Sequence, residues 1–407
     1  MKKLIGTAML AALLATSAFA EISLGSWLRA IAAPAAGNGD TIYSGMTNSW
    51  GWGARVARVN IYGTSEDGKI GFSMGVYNDV DNGLEPGDDK VIWAKPWDWL
   101  KISLGRWDYT TFRGDLCFGS WNWIRPNNWL FDDEGLTFDQ LGAKSGMQLE
   151  VTPVEGLVVM WNLPMGGNIG SWDKAYKMFE QQDIAAKYTI GDIGTIKAGW
   201  GGQGKRATNG KAWEAGDNDI DLGNGYYWNG GDVVKIPNNV TTTDDKYLGD
   251  INVAFDLTAV ENLYLTVGAK ISIANSDYKD DSFKFLKVAA GASYQILDNL
   301  KVAANFGVQT YEEDDPSFQF GVGVDVGLTD SLTLNVDFRG LFIGDDAAGK
   351  STDPSFSFMA GLQYACSSNG YVGIGFQGST NGCGFLGNLG YEDKFCWAVP
   401  IAVSCWF

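Results

Sequence analysis

The residues with the clearest spacing for chemistry are clustered carboxylates, a side-chain type that binds divalent cations and exchanges protons. The clusters are Asp132-Asp133-Glu134, Asp244-Asp245 and Glu312-Glu313-Asp314-Asp315. Each lies in a polar stretch between predicted strands, where solvated charge is the ordinary interpretation. Cation binding in these loops is the minority interpretation, so the clusters alone predict no metal site.

The chain contains no histidine. Ser-His and Asp-His hydrolase machinery and a histidine-based zinc site are therefore excluded. The cysteines show no CxxC spacing, and no glycine-rich phosphate-binding loop joins a strand to a helix. We expect no enzymatic activity, no catalytic residue, no cofactor and no metal.

Four of the five cysteines, Cys366, Cys383, Cys396 and Cys405, lie near the end of the chain, and Cys117 stands apart. In an oxidising compartment a disulfide between Cys383 and Cys396 would join a loop to the last strand. The alternative is that Cys396 and Cys405 are small residues of a strand wall. Both interpretations stay open.

The first twenty residues have the pattern of a secretory signal peptide. Lys2 and Lys3 precede an apolar run from Leu4 to Ala15, and Ala18-Phe19-Ala20 supplies a small-x-small cleavage site. The apolar run is shorter than the roughly 20 residues of a spanning helix. We expect cleavage between Ala20 and Glu21, which leaves residues 21–407 as one domain.

The formal net charge is −18. Binding to nucleic acid through phosphate neutralisation needs a basic surface, so this class of function is excluded. The composition is also rich in glycine (54 residues) and in tryptophan (17 residues). Glycine-rich strands with many aromatic residues are typical of a barrel wall with aromatic girdles.

Apolar and polar residues alternate with period two in segment after segment. In Ser317–Gly327, Phe318, Phe320 and Val322 point one way, and Gln319 and Asp325 the other. Segments of about ten residues match tilted transmembrane strands. We count eighteen, or sixteen if one hairpin is wrong. They begin near Ile22, Gly51, Lys69, Lys90, Leu100, Ser145, Leu157, Asp183, Thr195, Leu248, Leu263, Lys284, Leu300, Ser317, Ser331, Ser355, Tyr371 and Phe395.

The connections alternate between short turns and long polar loops. Several turns carry an acidic residue with Asn, Gly or Ser before a Leu, a composition that suits tight hairpins. Short turns at one end and long loops at the other are typical of outer-membrane barrels. The eight short turns are 64–68, 96–99, 153–156, 191–194, 258–262, 297–299, 328–330 and 366–370.

The alternation also predicts which charged residues face the inside of the barrel. A packed core would not tolerate so many charges, and eighteen strands enclose a lumen too wide for side chains to fill. A water-filled interior is therefore expected. The predicted wall residues of the pore are Arg29, Lys101, Glu150, Lys187, Lys197, Asp256, Lys270, Lys287, Lys301, Asp325, Asp337 and Arg339.

The long loop 109–144 is the third outer loop in this count, and it resembles the constriction loop of general porins in position, length and charge. The resemblance implies that loop carboxylates face basic wall residues, which would set ion selectivity. A loop folded over the outer mouth is the alternative. The candidate constriction residues are Asp115, Asp132, Asp133, Glu134, Arg113 and Arg125.

The tryptophans fall into two groups. Those near strand ends favour an interfacial girdle, and those in or beside the long loop offer rings that stack on sugars, as in sugar-specific porins. Packing within the loop explains the second group equally well. The girdle candidates are Trp93, Trp97, Trp99 and Trp161, and the stacking candidates are Trp107, Trp121, Trp123 and Trp129.

The last strand, FCWAVPIAVSCWF, ends at Phe407 with alternating apolar residues behind it. This resembles the signal by which the barrel-assembly machinery recognises bacterial outer-membrane proteins, although Cys405 stands where an aromatic residue is usual. The mature chain as a whole resembles the outer-membrane β-barrel porins. A shorter stretch, VIWAKPWDWLKISLGRWD (Val91–Asp108), resembles hairpins of porin-like surface barrels of spirochaetes.

These features predict an all-β, transmembrane antiparallel barrel in the outer membrane. We expect a porin for passive diffusion of small hydrophilic solutes or ions, sugars included. The alternative is a surface-structural or adhesive barrel with an occluded lumen. The resemblance implies outer-membrane lipid, the assembly machinery and small solutes as partners, no nucleic acid, and a homotrimer as the oligomer expected by analogy.

Overall fold

The structure is a computed structural model, and it describes residues 20–38, 41–47, 55–79, 83–106, 145–164, 182–205, 220–223, 226–228, 233–235, 247–274, 285–311, 315–342, 344, 354–380 and 395–407. These residues form strands and turns. Within these ranges, no helix is long and apolar enough to cross a membrane.

Eighteen antiparallel strands form a closed barrel, as predicted. Each strand pairs with its neighbours along the chain, and the first pairs with the last. They are β1 (Ala20–Asn38), β3 (Arg55–Ser65), β4 (Ile70–Asp79), β5 (Gly83–Trp97), β6 (Leu100–Arg106), β7 (Ser145–Val154), β8 (Leu157–Pro164), β9 (Asp183–Ile190), β10 (Gly194–Lys205), β14 (Tyr247–Leu257), β15 (Leu263–Ala274), β16 (Phe285–Leu297), β17 (Leu300–Tyr311), β18 (Ser317–Thr329), β19 (Leu332–Phe342), β20 (Ser355–Ser367), β21 (Gly370–Thr380) and β22 (Phe395–Trp406).

Four further strands lie in the connections, and the sequence did not predict them. Strand β2 (Thr41–Thr47) pairs with the second half of β1, whereas β3 pairs with the first half. β2 and β3 therefore share one side of β1. The short strands β11 (Ile220–Gly223), β12 (Tyr226–Trp228) and β13 (Val233–Lys235) form a separate three-stranded sheet.

The eight predicted short turns all join neighbouring barrel strands at one end of the barrel. The backbone conformation of particular residues explains how the chain reverses in these turns. Gly68 and Gly156 have positive φ angles, 67° and 79°, and Asn262 has a φ of 64°. Glycine and asparagine tolerate this left-handed backbone, so these residues permit the tight reversal.

The barrel closes where the two ends of the chain meet. β1 and β22 pair from Trp27↔Trp406 to Asn38↔Cys396. The terminal residue extends the seam, because the main chains of Ser26 and Phe407 exchange two hydrogen bonds of 2.9 Å. The barrel therefore has no unpaired strand edge at this seam.

The outer face of the wall is apolar. On β18 and β19, Val322, Val336 and Phe338 are exposed, and the residues between them are buried on the inner face. The same alternation exposes Ile92, at 64%, on β5 and Phe306, at 52%, on β17. In a closed barrel the main chain of every strand is hydrogen-bonded to its two neighbours, as a lipid bilayer requires. The exposed aliphatic and aromatic side chains form the apolar outer surface that suits lipid. The fold is therefore that of a transmembrane β-barrel.

Candidate functional site: the inner wall

The strand register places all twelve predicted wall residues on the inner face. Opposite residues of an antiparallel pair lie on the same face, so each pairing carries the assignment around the ring. Lys101 lies opposite Glu150, Lys187 opposite Lys197, and Lys301 opposite Asp325. The remaining six residues follow from the same register: Arg29, Asp256, Lys270, Lys287, Asp337 and Arg339.

The predicted constriction and stacking residues lie outside the described residues, as does loop 109–144. Their part in a constriction or in sugar stacking stays a prediction. The same holds for the carboxylate clusters, of which the structure describes Asp315 alone, and for the signal peptide before Ala20. The residues concerned are Asp115, Asp132, Asp133, Glu134, Arg113, Arg125, Trp107, Trp121, Trp123, Trp129 and Cys383.

A buried ion pair stands on the inner wall between β10 and β14. The Lys197 amine lies 2.5 Å from the Asp256 carboxylate, and both side chains are at most 10% exposed. The other Asp256 oxygen accepts hydrogen bonds from the hydroxyls of Thr266, at 2.7 Å, and Tyr264, at 3.3 Å. A buried charge needs such partners, because desolvation without them costs several kcal/mol, on the order of 3–5. Asp256 is therefore fixed in place by three neighbouring side chains.

The same strand supplies a second carboxylate toward its other neighbour. Asp250 lies 3.6 Å from the amine of Lys270 on β15. Lys270 in turn lies directly opposite Lys287 of β16. β14 thus neutralises one lysine on each side of itself.

An arginine–aromatic group on β1, β3 and β4 was missed by the sequence analysis. Arg58 is buried on the inner face and donates hydrogen bonds to the Asn60 amide oxygen, at 2.6 Å, and to the Tyr77 hydroxyl, at 3.1 Å. Tyr77 packs edge to face on Trp27, and the guanidinium of Arg29 lies 5.0 Å from the Trp27 ring centre. The alternation of Arg58, Asn60 and Tyr62 with Val59 and Ile61 was the signal that could have found it.

Trp93 corrects one prediction. It was expected in an outward girdle, but it lies opposite Ser103 on the inner face, and Ile92 takes the outward position. The amines of Lys95 and Lys101 lie 5.4 and 5.6 Å from its ring centre. The prediction was wrong because it rested on nearness to a strand end, which gives the position of a residue along the strand but not the face that its side chain takes.

The other three girdle candidates lie at the β5–β6 turn and on the outward-facing side of β8. Trp97 and Trp99 stack on each other at the β5–β6 turn with ring centres 5.4 Å apart, and both are exposed. Trp161 has outward parity on β8, and its indole N–H donates to the Gln182 side-chain oxygen at 2.7 Å. Their girdle role stays a prediction.

One sector of the wall carries no charge. The strands β20, β21 and β22 contain no Asp, Glu, Lys or Arg. Their inner face includes Met359, Tyr371, Gln377 and Ala402, next to Ile31 of β1. The charged residues of the inner face therefore lie on the other strands of the ring, from β1 to β19.

Many inner-facing side chains are nearly inaccessible to solvent. Asn162 is 0% exposed, Asp337 1% and Arg339 2%, and Met160 and Met359 are equally buried. Hydrogen bonds between wall residues account for part of this burial: the Gln148 amide donates to Asn162 at 2.9 Å, and the Asn335 amide donates to Asp325 at 2.6 Å. The inner wall is thus tightly packed along both the charged and the neutral sectors.

The described cysteines and the terminal residue lie on β20, on β22 or at their ends. Cys396 is fully buried on the inner face beside Ala33 and Ala36, whereas Cys405 has outward parity. Cys366 is exposed at the β20–β21 turn. The Cys383–Cys396 disulfide remains untested. Within the described ranges, no group of His, Cys, Asp and Glu residues is arranged to hold a metal ion.

No family model and no curated protein matches the chain. Solved structures do. An anion-selective porin from Comamonas acidovorans is 11% identical over 95% of this chain and 100% of that one, with a TM-score of 0.49. A loop-deletion mutant of OmpT, an outer membrane protein of Vibrio cholerae, is 11% identical over 95% and 99%, with a TM-score of 0.46. A mutant of the Rh. blastica porin is 13% identical over 95% and 100%, with a TM-score of 0.46. Because these values are low, the functional conclusions rest on the geometry of this chain.

Proposed function

We propose that the protein is an outer-membrane porin that lets small hydrophilic solutes and ions diffuse passively through its lumen. The observation that carries this proposal is the division of one closed ring of eighteen strands into an apolar outer face and an inner face with charged residues. The outer face suits lipid, and the inner face suits water and polar solutes. A barrel of this strand number is too wide for its own wall side chains to fill.

The proposal includes export and assembly. Cleavage between Ala20 and Glu21 leaves β1 complete but for its first residue, since Ala20 is where β1 begins. Phe407, exposed at the end of the seam, is available to the barrel-assembly machinery. Outer-membrane lipid is the surrounding partner, and a homotrimer is the oligomer by analogy. The passage needs no catalytic group, so no enzymatic activity is included.

The experiment is single-channel recording of the refolded mature protein in a planar bilayer, with a salt gradient across it. Stable open steps are expected, and the sign of the reversal potential reports which charges control passage. Adding maltose oligosaccharides to one side tests sugars, because a bound sugar interrupts the current. Silence from protein that is folded and inserted would contradict the porin proposal.

The alternative is an adhesive or surface-structural barrel with an occluded lumen. The observation that favours it is the very low exposure of inner-facing residues such as Asn162, Asp337 and Met359. A wide, water-filled lumen would leave larger parts of such side chains accessible. Under this alternative the inserted barrel is electrically silent, and deletion of outer loop 206–246 abolishes binding to a surface ligand. The porin proposal expects open channels from the same preparation.

A further inference from the structure

Two lysine amines lie over one tryptophan ring at the end of the lumen where the short turns are. The amines of Lys95 on β5 and Lys101 on β6 lie 5.4 and 5.6 Å from the ring centre of Trp93. All three residues belong to the inner face, and both lysines are close to the β5–β6 turn. The three side chains therefore stand at one mouth of the lumen, where a solute from that side arrives first.

A register shift in β5 brings the two lysines together. Between Ala94 and Trp97, β5 contains one residue more than the paired part of β6. Lys95 and Pro96 therefore stand together against the single residue Lys101. An extra residue of this kind re-aims a side chain and is common beside functional sites. Because like charges that face each other across two strands repel, this arrangement needs an interaction that offsets the repulsion.

The tryptophan ring supplies part of that interaction. Trp93 lies opposite Gly71 of β4, and a Cβ on this glycine would collide with the ring, so the ring is packed over the glycine backbone. The face of a tryptophan ring attracts cations within about 6 Å of its centre. Trp93 therefore holds both amines at one place on the wall. A contact with the ring face leaves N–H donors of each ammonium available to oxygen acceptors.

The two amines are accessible from the lumen. Lys95 is exposed and Lys101 is partly exposed. Within the part of the chain that the structure describes, neither lysine forms an ion pair with a carboxylate. Glu150 lies opposite Lys101 in the register, and it acts electrostatically on Lys187 of β9. An oxyanion at this mouth would therefore meet two amines that one ring holds in place.

We propose that Trp93, Lys95 and Lys101 form a binding site for one small oxyanion, of the carboxylate or phosphate class, at the turn end of the lumen. Each ammonium donates charge-assisted hydrogen bonds to the anion, and the indole ring positions both amines. This inference rests on the proposed porin function for the passage of the anion. It adds to that function a solute class and a first point of contact, at the mouth that the short turns form.

The test is calorimetric titration of the refolded full-length mature barrel, in a non-ionic detergent, with inorganic phosphate. The wild type should bind one phosphate, and Lys95→Gln and Lys101→Gln should each weaken binding at least about tenfold. Trp93→Leu removes the ring that positions the amines and should also weaken binding, whereas Trp93→Phe keeps an aromatic face and should restore part of the affinity. The matched control is Lys301→Gln. It removes an inner-facing lysine at the same end of the barrel, opposite Asp325, and should leave the affinity unchanged.

Folding is checked by the heat-dependent shift of each barrel in gel electrophoresis. If a Trp93 variant does not fold, the wild type and the variant of the exposed Lys95 decide. No phosphate binding by the wild type, or equal losses in Lys95→Gln and Lys301→Gln, would overturn the inference. Bilayer recording of the same preparations separates the two proposals. Open channels without phosphate binding contradict this inference alone, whereas phosphate binding by a silent barrel contradicts the porin function alone.

Discussion

Arg58 and Tyr77 face each other across β3 and β4 and interact twice. The guanidinium donates a 3.1 Å hydrogen bond to the tyrosine hydroxyl, and its central carbon lies 5.2 Å from the ring centre. Arg58 also donates a 2.6 Å hydrogen bond to Asn60. One buried arginine thus ties two neighbouring strands together on the inner wall.

Replacing Arg58 should weaken the barrel measurably. Arg58→Met keeps the length of the side chain but leaves the Asn60 oxygen and the Tyr77 hydroxyl without this donor, at a cost of about 2 kcal/mol in the free energy of unfolding. Urea unfolding of the protein in lipid vesicles measures it. Tyr77→Phe is the control: it keeps the ring contact, loses one hydrogen bond and should cost about 1 kcal/mol. Equal losses in the two variants would contradict this account.

The turn between β3 and β4 should respond to acid. The Ser65 hydroxyl, at 2.6 Å, and the Lys69 main-chain N–H, at 3.1 Å, hold the pKa of Asp67 below its usual value. A lowered pKa in the folded state stabilises the fold above roughly pH 3.9, and this contribution is lost as the pH falls through the folded pKa. Asp67→Asn should therefore flatten the pH dependence of the urea midpoint below about pH 5.

Ser65→Ala removes the largest cause of the lowered Asp67 pKa and should flatten the same curve in part. A wild-type pH dependence in both variants would show that the turn does not contribute. The side chain is fully exposed, so the effect on stability is expected to be small.

Glycine on the outer wall makes room for aromatic rings. A Cβ on Gly378 would come within 2.5 Å of the Phe358 ring and 2.7 Å of the Phe395 ring. Gly378→Ala should therefore force the rings apart and cost about 1–3 kcal/mol of unfolding free energy. Gly25→Ala is the control, since its Cβ would meet Tyr62 at an ordinary 3.4 Å. A smaller loss for Gly378→Ala than for Gly25→Ala would contradict the packing argument.

Phe407 contributes through its backbone as well as its ring. Deleting it removes two main-chain hydrogen bonds to Ser26, worth about 2 kcal/mol together, whereas Phe407→Ala keeps them. Refolding in vesicles should therefore show a larger loss of stability for the deletion than for Phe407→Ala. If the aromatic ring is the assembly signal, both variants should reduce insertion in cells. A deletion as stable as Phe407→Ala in vitro would contradict the backbone role.

The sequence predicted the barrel well because one physical rule repeats in every strand. Alternation such as Phe318, Phe320 and Val322 against Gln319 reports a wall with lipid on one side, and the turn residues mark its ends. Seventeen of the eighteen barrel strands begin within four residues of the predicted positions, and the largest difference is Gly83 for a strand expected from Lys90. Pro400 of the last strand lies opposite a register shift between Ala32 and Ala35, where the missing N–H donor of a proline is tolerated.

Features that do not follow from the alternation of apolar and polar residues were predicted wrongly or not at all. Nearness to a strand end suggested an interfacial girdle for Trp93, whereas its pairing with Ser103 places it on the inner face. Strands of three or four residues, such as β12 and β11, are too short to show a period. The facing positions of Lys187 and Lys197 could not be predicted from the sequence. Alternation along a strand gives the face of a residue, whereas only the register between strands gives its neighbour. Lys187 and Lys197 were both expected inside, and nothing in the sequence placed them opposite each other.

The seam at Ser26 and Phe407 has a consequence for how the chain reaches its folded state. It joins two residues, Ser26 and Phe407, that are nearly as far apart in the sequence as this chain allows. Contacts of this kind form late because the intervening segment must first be ordered. Until β22 is in place, β1 and β21 each present an unpaired edge, which is the surface through which strands aggregate. A chain that lacks β22 therefore keeps two strand edges that can pair with another chain.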